Sequence, residues 1–298
     1  MKLFDFHCDT AYRMNKENLS IHSPDLQINA QTMQCFSHLV QTFAFWSEKN
    51  TDDETAWKTF LRAHKLFFSQ YLPQNVSYLL SIEDLRIIEH KIERLAQLKA
   101  MGIAVVTPFW AGKNAFGCAH NAEFDTGLTD WGKYVMEACF SQNLILDVSH
   151  ASHQSTADIL KLANEHNQTV VATHSNFFDC CAHSRNLATE HAEEIKRLGG
   201  IIGLNLYPPH LGGDMLTHFK KHLIYAIDHH LESQICLGTD FDGIDICVQG
   251  IQKQNHLIKL HHELEKSEID HFMLDRLFYQ NGIDFLKKYS IKPFVREN

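Results

Sequence analysis

The residues of this chain that could do chemistry together are histidines and carboxylates at the ends of short apolar runs. The first two are His7 and Asp9, which close the run Leu3–Asp9. Because side chains alternate along a strand, His7 and Asp9 share one face and Cys8 takes the other. An imidazole beside a carboxylate at a strand end forms half of a divalent-metal site. Such a pair alone is more often a polar strand end and a helix cap, so the prediction depends on what recurs later.

Four later runs end in residues of the same types. Glu83 before Asp84 could begin a helix, a single histidine is more often a core residue, and an acid before Asp242 could belong to a turn. These plainer interpretations would all have to hold at independent strand ends, so the joint pattern favours a metal site. The four residues are Glu83, His150, His174 and Asp240, after the runs Val76–Ile82, Leu144–Val148, Thr169–Thr173 and Ile235–Thr239.

The number of donors indicates how many ions are held. One tetrahedral zinc with an open position cannot use them all. Two ions roughly 3.5–4 Å apart, sharing a bridging carboxylate, use the set economically. Neutral imidazoles with carboxylates suit zinc first, with manganese, cobalt or iron as alternatives. We therefore expect two Zn²⁺ per chain on His7, Asp9, Glu83, His150 and His174.

The elements that must position these donors are eight short apolar, β-rich runs separated by longer segments with helical patterning. Continuous apolar strands that alternate with helices predict a parallel sheet buried on both faces. Eight such units in about 250 residues match a (β/α)8 TIM barrel, whose chemistry sits at the carboxyl ends of the strands. Besides the five runs above they are Val40–Trp46, Ile103–Phe109 and Gly200–Leu206, and the helical segments are Thr55–Tyr71, Asp84–Met101, Gly127–Gln142, Ser155–Asn167, Glu190–Leu198 and Gly213–Leu231.

A doubly wound open sheet is the structural alternative, and it often has a glycine-rich turn after its first strand. The first run here ends without glycine, which favours the barrel of the metal-dependent hydrolase type. We expect loop over Tyr12–Gln34, closing helices in Gln252–Tyr289 and a polar tail at Ile291–Asn298. Residues 1–298 contain no linker or low-complexity tract and are predicted to form one domain.

Alternation also predicts which side chains face the barrel in and after the runs Leu144–Val148 and Thr169–Thr173. Val148 faces it together with His150, and Asp147 turns to the outer side as a structural acid. The same count places His174 on the face of Ala172.

Bulk properties exclude several classes of function. The 298 residues are 44% hydrophobic and 21% charged, and the formal net charge of -9 argues against nucleic acid and anionic membranes as partners. The chain has no run of about eighteen apolar residues, so we expect no membrane-spanning helix. Met1 leads at once into the first run, which leaves no room for a signal peptide, and the eight cysteines form no CxxC pair. We therefore expect a reduced, cytoplasmic protein.

Several motifs follow one another in order along residues 5–243. They are Asp5-Phe6-His7-Cys8-Asp9-Thr10, Ser81-Ile82-Glu83, Gly127-Leu128-Thr129-Asp130-Trp131-Gly132, Leu146-Asp147-Val148-Ser149-His150-Ala151-Ser152, Thr173-His174-Ser175-Asn176, Ser184-Arg185-Asn186 and Gly238-Thr239-Asp240-Phe241-Asp242-Gly243. Together they resemble the membrane dipeptidases (renal dipeptidase-like enzymes) of the amidohydrolase superfamily, peptidase family M19. The set is specific, although any one motif would not be.

The resemblance implies a (β/α)8 barrel with a binuclear zinc site. His7 and Asp9 match the family's first-strand ligands, and Glu83 matches its bridging carboxylate. His150 and His174 match the ligands of the second metal. Asp240 matches the acid that handles the proton, and Arg185 matches the arginine that meets the substrate's carboxylate.

The chain departs from the animal enzymes at the end of the fourth strand. They have a substrate-contacting histidine there, and this chain has Trp110. Trp110 and Tyr207 are candidate walls of the substrate pocket, with core packing as the alternative. The animal relatives are also exported and lipid-anchored, and this chain shows neither signal. A homodimer is an expectation that only the resemblance carries.

The predicted reaction is hydrolysis of a dipeptide by a metal-bridging hydroxide. Asp240 accepts the proton and passes it to the leaving amine, and Arg185 anchors the free carboxylate. One alternative is another binuclear amidohydrolase, namely an acyl-amino-acid hydrolase, a lactonase or a deaminase. The other is a catalytically silent metal-binding protein. Arg185 argues against a lactone or nucleobase, which has no carboxylate to bind, and the retained Asp240 argues against a silent protein.

Overall fold

The computed structural model describes residues 1–48, 51–267 and 269–295, and its centre is a parallel sheet. The strands are β1 (Lys2–Asp5), β2 (His38–Trp46), β3 (Val76–Glu83), β4 (Ile103–Thr107), β5 (Ile145–Asp147), β6 (Val170–Val171), β7 (Ile202–Leu204) and β8 (Ile235–Leu237). They pair in the order β6-β5-β4-β3-β2-β1-β8-β7. A parallel bridge between Ala172 and Ile202 joins the two ends of this order and nearly closes the sheet. The predicted (β/α)8 barrel is thereby confirmed.

Helices follow the strands and cover the outside of the barrel. A short antiparallel hairpin, Lys113–Asn114 with Gly117–Cys118, lies in the connection after β4. None of the helices among the described residues is long and apolar enough to cross a membrane. The helices are α1 (Thr10–Glu17), α2 (Ala30–Met33), α3 (Asp53–Phe68), α4 (Arg94–Ala100), α5 (Asp130–Ser141), α6 (His153–Glu165), α7 (Thr189–Arg197), α8 (Pro208–Leu211), α9 (Leu216–Asp228), α10 (Leu257–Lys266), α11 (His271–Asp275) and α12 (Asn281–Lys288), with helical turns at Leu85–Ile87, Gln254–His256 and Arg276–Gln280.

The loop predicted over Tyr12–Gln34 is wrong at both of its ends, which form α1 and α2. Helix α1 buries Ala11 and Met14 and is capped at its carboxyl end by Asn18, whose φ of 54° is left-handed. Helix α2 begins with a reciprocal cap in which Asn29 Oδ1 accepts from the backbone N–H of Thr32. Both ends carry local signals that outweigh the polar composition of the segment.

The floor of the barrel is an apolar cluster that precedes the predicted ligands along the strands. Phe6 meets Phe285 of α12 with 6.0 Å between ring centroids. Gly282 of α12 lies against the ring of Phe4, where a Cβ would collide, so glycine permits this close approach. Each such fully buried side chain contributes roughly 1.5–3 kcal/mol. The cluster consists of Phe4, Phe6, Val40, Leu79, Val105, Val171, Ile201, Cys236, Phe285 and Leu286.

The predicted alternation is wrong for β5 and β6. Val148 and Ala172 pack in the outer layer between strands and helices. Asp147 instead accepts hydrogen bonds from the hydroxyls of Thr107 at 2.7 Å and Thr173 at 2.5 Å, so it lies among the neighbouring strand ends. The regular ladder here is only two or three residues long, and counting beyond it assigns the wrong faces.

The polar tail predicted at Ile291–Asn298 contains a strand at Phe294–Val295, and residues 296–298 lie outside the described part. This strand pairs antiparallel with Ser77 and Tyr78 of β3. Strand β3 joins β4 only from Leu80 onward, so the first part of its edge is open to another partner. Phe294 stacks on Tyr78 at 5.2 Å between centroids.

Candidate active site

The ligands predicted at the ends of β1 and β3 lie together. His7 Nε2 is 3.7 Å from Asp9 Oδ2 and 3.7 Å from Glu83 Oε2. All three residues are buried, and one donor atom from each lies within 4.8 Å of the others. Cys8 points away from this cluster, with its Sγ against the carbonyl oxygen of Thr42, as alternation predicts for this strand. The spacing suits one cation between an imidazole and two carboxylates.

The histidines that follow β5 and β6 form a second cluster on the other oxygen of Glu83. His150 Nε2 lies 2.9 Å from Glu83 Oε1, and His174 Nε2 lies 3.4 Å from it. One donor atom from each of these residues again lies within 4.8 Å of the others. Glu83 therefore faces one donor cluster with each of its oxygens, which is the geometry of a carboxylate that bridges two cations. Asp84, not Glu83, caps the following helical turn by accepting from the N–H of Arg86.

Hydrogen bonds on the far side of each imidazole leave Nε2 facing the centre. His150 Nδ1 is 3.1 Å from the carbonyl oxygen of Trp110, which can only accept. The Thr173 hydroxyl donates to Asp147, so it accepts from His174 Nδ1 at 2.8 Å and from His7 Nδ1 at 3.3 Å. Each ring thus carries a proton on Nδ1 and directs Nε2 to the centre, as metal ligands do, and His150 and His174 present a lone pair there.

These lone pairs make the site fit cations. His150 Nε2 and His174 Nε2 lie 2.9 Å apart, where two bare lone pairs repel. Burial holds the pKa of both histidines well below the usual range, helped by the charge of Arg185 at His150 and by the charges of His7 and Arg185 at His174. Neither ring therefore readily takes up a second proton. His7 Nε2 and Asp9 Oδ1 are buried with no hydrogen-bond partner among the described residues. Shared cations would satisfy all of these atoms.

The charge balance of the site points the same way. Burial and then the charge of Asp9 raise the pKa of Glu83 well above its usual value, and burial raises the pKa of Asp240 to about 7. Burial lowers the pKa of His7, but the Glu83, Asp9 and Asp240 carboxylates outweigh it and raise that pKa to about 10. The carboxylates crowded here therefore require positive charge, which divalent cations would supply by displacing the proton of His7.

Backbone geometry at the strand ends brings the last residues into place. His150 and Asp240 both adopt left-handed conformations, with φ of 69° and 63°. This reversal directs His150 to the centre although the preceding Val148 faces outward. Gly243 lies so close to the carboxylates of Asp9 and Asp240 that a Cβ would collide with them. The turn that follows β8 can therefore pass directly beside the site.

Asp240 and Arg185 flank the two clusters. Asp240 Oδ1 lies 3.9 Å from His7 Nε2, and the Asp240 side chain is 14% exposed, so it can meet a substrate. Arg185 donates from Nη1 to Ser175 Oγ and from Nη2 to the His174 carbonyl oxygen, each at 3.0 Å. Its Nε has no partner among the described residues, and each Nη has a second N–H. The guanidinium is thus held rigidly with donors to spare.

A cavity of about 240 Å³ connects these groups. Trp110 and Tyr207, the predicted pocket walls, both line it together with Arg185. It is also lined by two histidines that the sequence analysis did not select, His120 and His210. His210 follows the end of the seventh run and could have been found by extending the strand-end rule, whereas His120 lies after the hairpin, where no such rule applies. Asp147 and Thr173, which orient the imidazoles, were also missed in that role.

Comparison with known proteins shows which family the chain belongs to. The family model described as "Membrane dipeptidase (Peptidase family M19)" matches residues 68–290. A Klebsiella pneumoniae protein described as an uncharacterized protein in the pqqA 5′ region is 31% identical over 201 residues, 63% of this chain and 73% of that protein. "Dipeptidase aclJ" of Aspergillus oryzae is 24% identical over 60% of this chain, and the match spans 44% of its length.

Solved structures share the fold over almost the whole chain. A Rhodobacter sphaeroides metallopeptidase, liganded with a phosphinate mimic of the dipeptide L-Ala-D-Ala, has a TM-score of 0.86 at 20% identity and covers 97% of this chain and 99% of its own. The metallopeptidase dipeptidase AC of family M19 has a TM-score of 0.87 at 20% identity, covering 98% and 99%. The family match extends over most of the chain, and it confirms the enzyme class that the motifs predict. The chain belongs to the membrane dipeptidase family, peptidase family M19.

Proposed function

We propose that the chain is a zinc-dependent dipeptidase in which two Zn²⁺ ions activate the attacking water. The observation that carries this proposal is the position of Glu83, whose two oxygens face two adjoining donor clusters. His7 and Asp9 would hold one ion, and His150 and His174 would hold the other. When bound, the ions supply Lewis acidity, which makes water acidic enough to attack near neutral pH and stabilises charge on the carbonyl.

The residues around the clusters would do the remaining work. Asp240 lies beside His7 and is within reach of a water at the centre, so it would take the attacking water's proton and return it to the leaving amine. Arg185 would bind the free C-terminal carboxylate with its spare N–H groups. Because Ser175 and the His174 backbone hold the guanidinium in place, the carboxylate would be bound at a set distance from the ions, which would favour dipeptides over longer chains.

The first test combines metal analysis with a substrate panel. Purified protein should contain close to two zinc ions per chain by inductively coupled plasma mass spectrometry. It should hydrolyse free dipeptides but not N-acyl amino acids, lactones or nucleobases, and lose this activity on chelation and regain it with Zn²⁺. Hydrolysis of a lactone in preference to every dipeptide, or full activity without metal, would overturn the proposal.

The second test concerns Arg185, whose change to Lys keeps the charge and removes the planar fork. We expect Arg185→Lys to raise KM for free dipeptides by about 10- to 100-fold, since a charge-assisted pair of bonds contributes about 1.5–3 kcal/mol. C-terminally amidated dipeptides, which lack the carboxylate, serve as the matched substrates. An equal loss on amidated substrates would show that Arg185 does not act as the anchor.

Compartment and assembly form separate parts of the proposal. The described free thiols include Cys8, Cys118, Cys139 and Cys236, all buried, which favours a reducing compartment such as the cytoplasm. Fractionation of the source cells with an antibody tests this assignment.

A homodimer is proposed from the family resemblance, and size-exclusion chromatography with light scattering tests it.

A further inference from the structure

Two cavities meet at the candidate metal centre. Both are lined by Asp9, Glu83 and Trp110. We call the cavity of about 240 Å³ that contains Arg185 the arginine chamber. We call the cavity of about 540 Å³ that contains Tyr12 and Trp46 the aromatic chamber. A dipeptide whose scissile bond lies between the two chambers places one residue in each.

The direction in which a dipeptide lies follows from the charge of the arginine chamber. This step rests on the proposed function, in which Arg185 receives the free carboxylate. The C-terminal residue then occupies the arginine chamber, and the N-terminal residue extends into the aromatic chamber. The arginine chamber must hold a carboxylate in less than half the volume of the aromatic chamber. Arg185 and His120 also line a cavity of about 580 Å³, but none of the predicted metal ligands lines it. A C-terminal side chain that stays beside the metal ligands therefore has little room.

The wall of the aromatic chamber consists of three rings in contact. Tyr12 meets Trp46 at 4.6 Å between centroids with perpendicular planes, and Trp46 meets Trp110 at 4.7 Å with planes 60° apart. Edge-to-face and tilted arrangements at these distances are those that aromatic side chains prefer, so a further ring can join them.

The two cations that line the aromatic chamber, Arg13 and Lys16, already have acidic partners. Arg13 Nη1 lies 3.1 Å from Asp242 Oδ1, and its Nε lies 3.1 Å from Glu17 Oε1. Lys16 Nζ lies 3.8 Å from Glu48 and also packs over the ring of Tyr12. Because both cations already have acidic partners, they do not favour a substrate with an acidic side chain. The three rings therefore determine which N-terminal side chain this chamber prefers.

We propose that the enzyme selects dipeptides with an aromatic N-terminal residue and a small C-terminal residue. The aromatic N-terminal side chain packs against Tyr12, Trp46 and Trp110. The C-terminal residue, glycine or alanine, lies beside Arg185. Selection is therefore directional, because reversing the order of the same two residues places the large side chain in the small chamber.

Isomeric dipeptides test the direction without any mutation. The kcat/KM of the zinc-loaded enzyme for Phe-Gly should exceed that for Gly-Phe by at least about tenfold, as should that for Phe-Ala over Ala-Phe. Calorimetric titration with two phosphinic dipeptide isosteres, with the benzyl group on the N-terminal or the C-terminal side, should give the same order in Kd. Equal or reversed orders in either measurement would overturn the inference while leaving a dipeptidase in place.

A variant of the wall assigns the preference to its rings. Trp46→Ala should lower the ratio of Phe-Gly to Gly-Phe by about tenfold or more, and Tyr12→Ala should lower it in the same direction if the first variant does not fold. Tyr134→Ala, which removes an exposed ring on α5, is the control and should leave the ratio unchanged. A ratio that is unchanged in the folded wall variants would show that the rings do not select the substrate. Failure to hydrolyse any dipeptide would instead overturn the proposed function and this inference with it.

Discussion

The floor and the rim of the barrel differ in kind, although the same strands supply both. At the floor, regular strands present apolar side chains such as Phe4 and Leu79 to one packed cluster. At the rim, Asp84, His150, Asp240 and Asp242 take left-handed backbone conformations with φ between 63° and 69°. Each such conformation costs roughly 1–2 kcal/mol in a residue other than glycine. Packing at the floor stabilises the fold. The left-handed residues at the rim offset part of that stabilisation, but they direct the donor atoms to one point.

The difference also predicts how each end responds to cations. The floor is apolar and complete without a ligand. The rim gathers the carboxylates of Asp9, Glu83 and Asp240 with histidine lone pairs, a set whose mutual repulsion is relieved only by positive charge. Changes at the rim should therefore alter metal binding and catalysis, and changes at the floor should alter stability.

The largest expected effect follows from Glu83→Gln. This change removes the carboxylate whose two oxygens face the two donor clusters, so metal content should fall well below two per chain and kcat/KM should fall by about 10³-fold or more. Mass spectrometry of bound metal and dipeptide kinetics measure the two effects. Glu165→Gln, an exposed change on α6, is the control. Normal metal content with normal activity would show that Glu83 is not a bridge.

Asp240→Asn separates proton transfer from metal binding at the rim. The amide keeps the shape but cannot accept the proton, so kcat should fall by about 10²- to 10⁴-fold while metal content stays near that of the parent. Asp228→Asn at the end of α9 is the exposed control. Hydrolysis at the parental rate would contradict the role assigned to Asp240.

Thr173→Val tests the groups that aim the imidazoles. The substitution removes the hydroxyl that links Asp147 to His174 and His7, so metal affinity should weaken by about 10- to 100-fold. Competition with a chromogenic chelator measures this affinity. Thr169→Val is the matched control, because the Thr169 hydroxyl has no partner among the described residues. Equal metal affinities in the two variants would show that the Thr173 hydroxyl does not orient the imidazoles.

Leu79→Ala tests the floor and should change catalysis least. Loss of this buried side chain should lower the free energy of unfolding by about 2–5 kcal/mol, with kcat/KM within about threefold of the parent well below the Tm. Denaturant unfolding and dipeptide kinetics on the same sample provide the comparison. Leu61→Ala, at a half-exposed position of α3, should cost far less. A large loss of activity in folded Leu79→Ala would show that the two ends are coupled.

Predictability from sequence follows the same division. The apolar runs predicted the strand count, because a buried parallel strand needs a continuous apolar segment, and the residue types at their ends predicted which side chains meet at the rim. The faces of Asp147 and Val148 were predicted wrongly, because the regular ladder of β5 stops at Asp147. The helix at the start of Tyr12–Gln34 was missed, because its composition is polar and the burial of Ala11 and Met14 is a tertiary contact.

By itself, the amino-acid sequence determined that this chain forms a (β/α)8 barrel of the M19 family and which donors stand at its strand ends. Those features are encoded locally, in apolar period and in motifs. Only the tertiary structure decided that Glu83 divides its oxygens between two clusters and that Tyr12, Trp46 and Trp110 share one wall. These arrangements join residues from separate loops, whose distances depend on left-handed turns and on packing that no local pattern encodes.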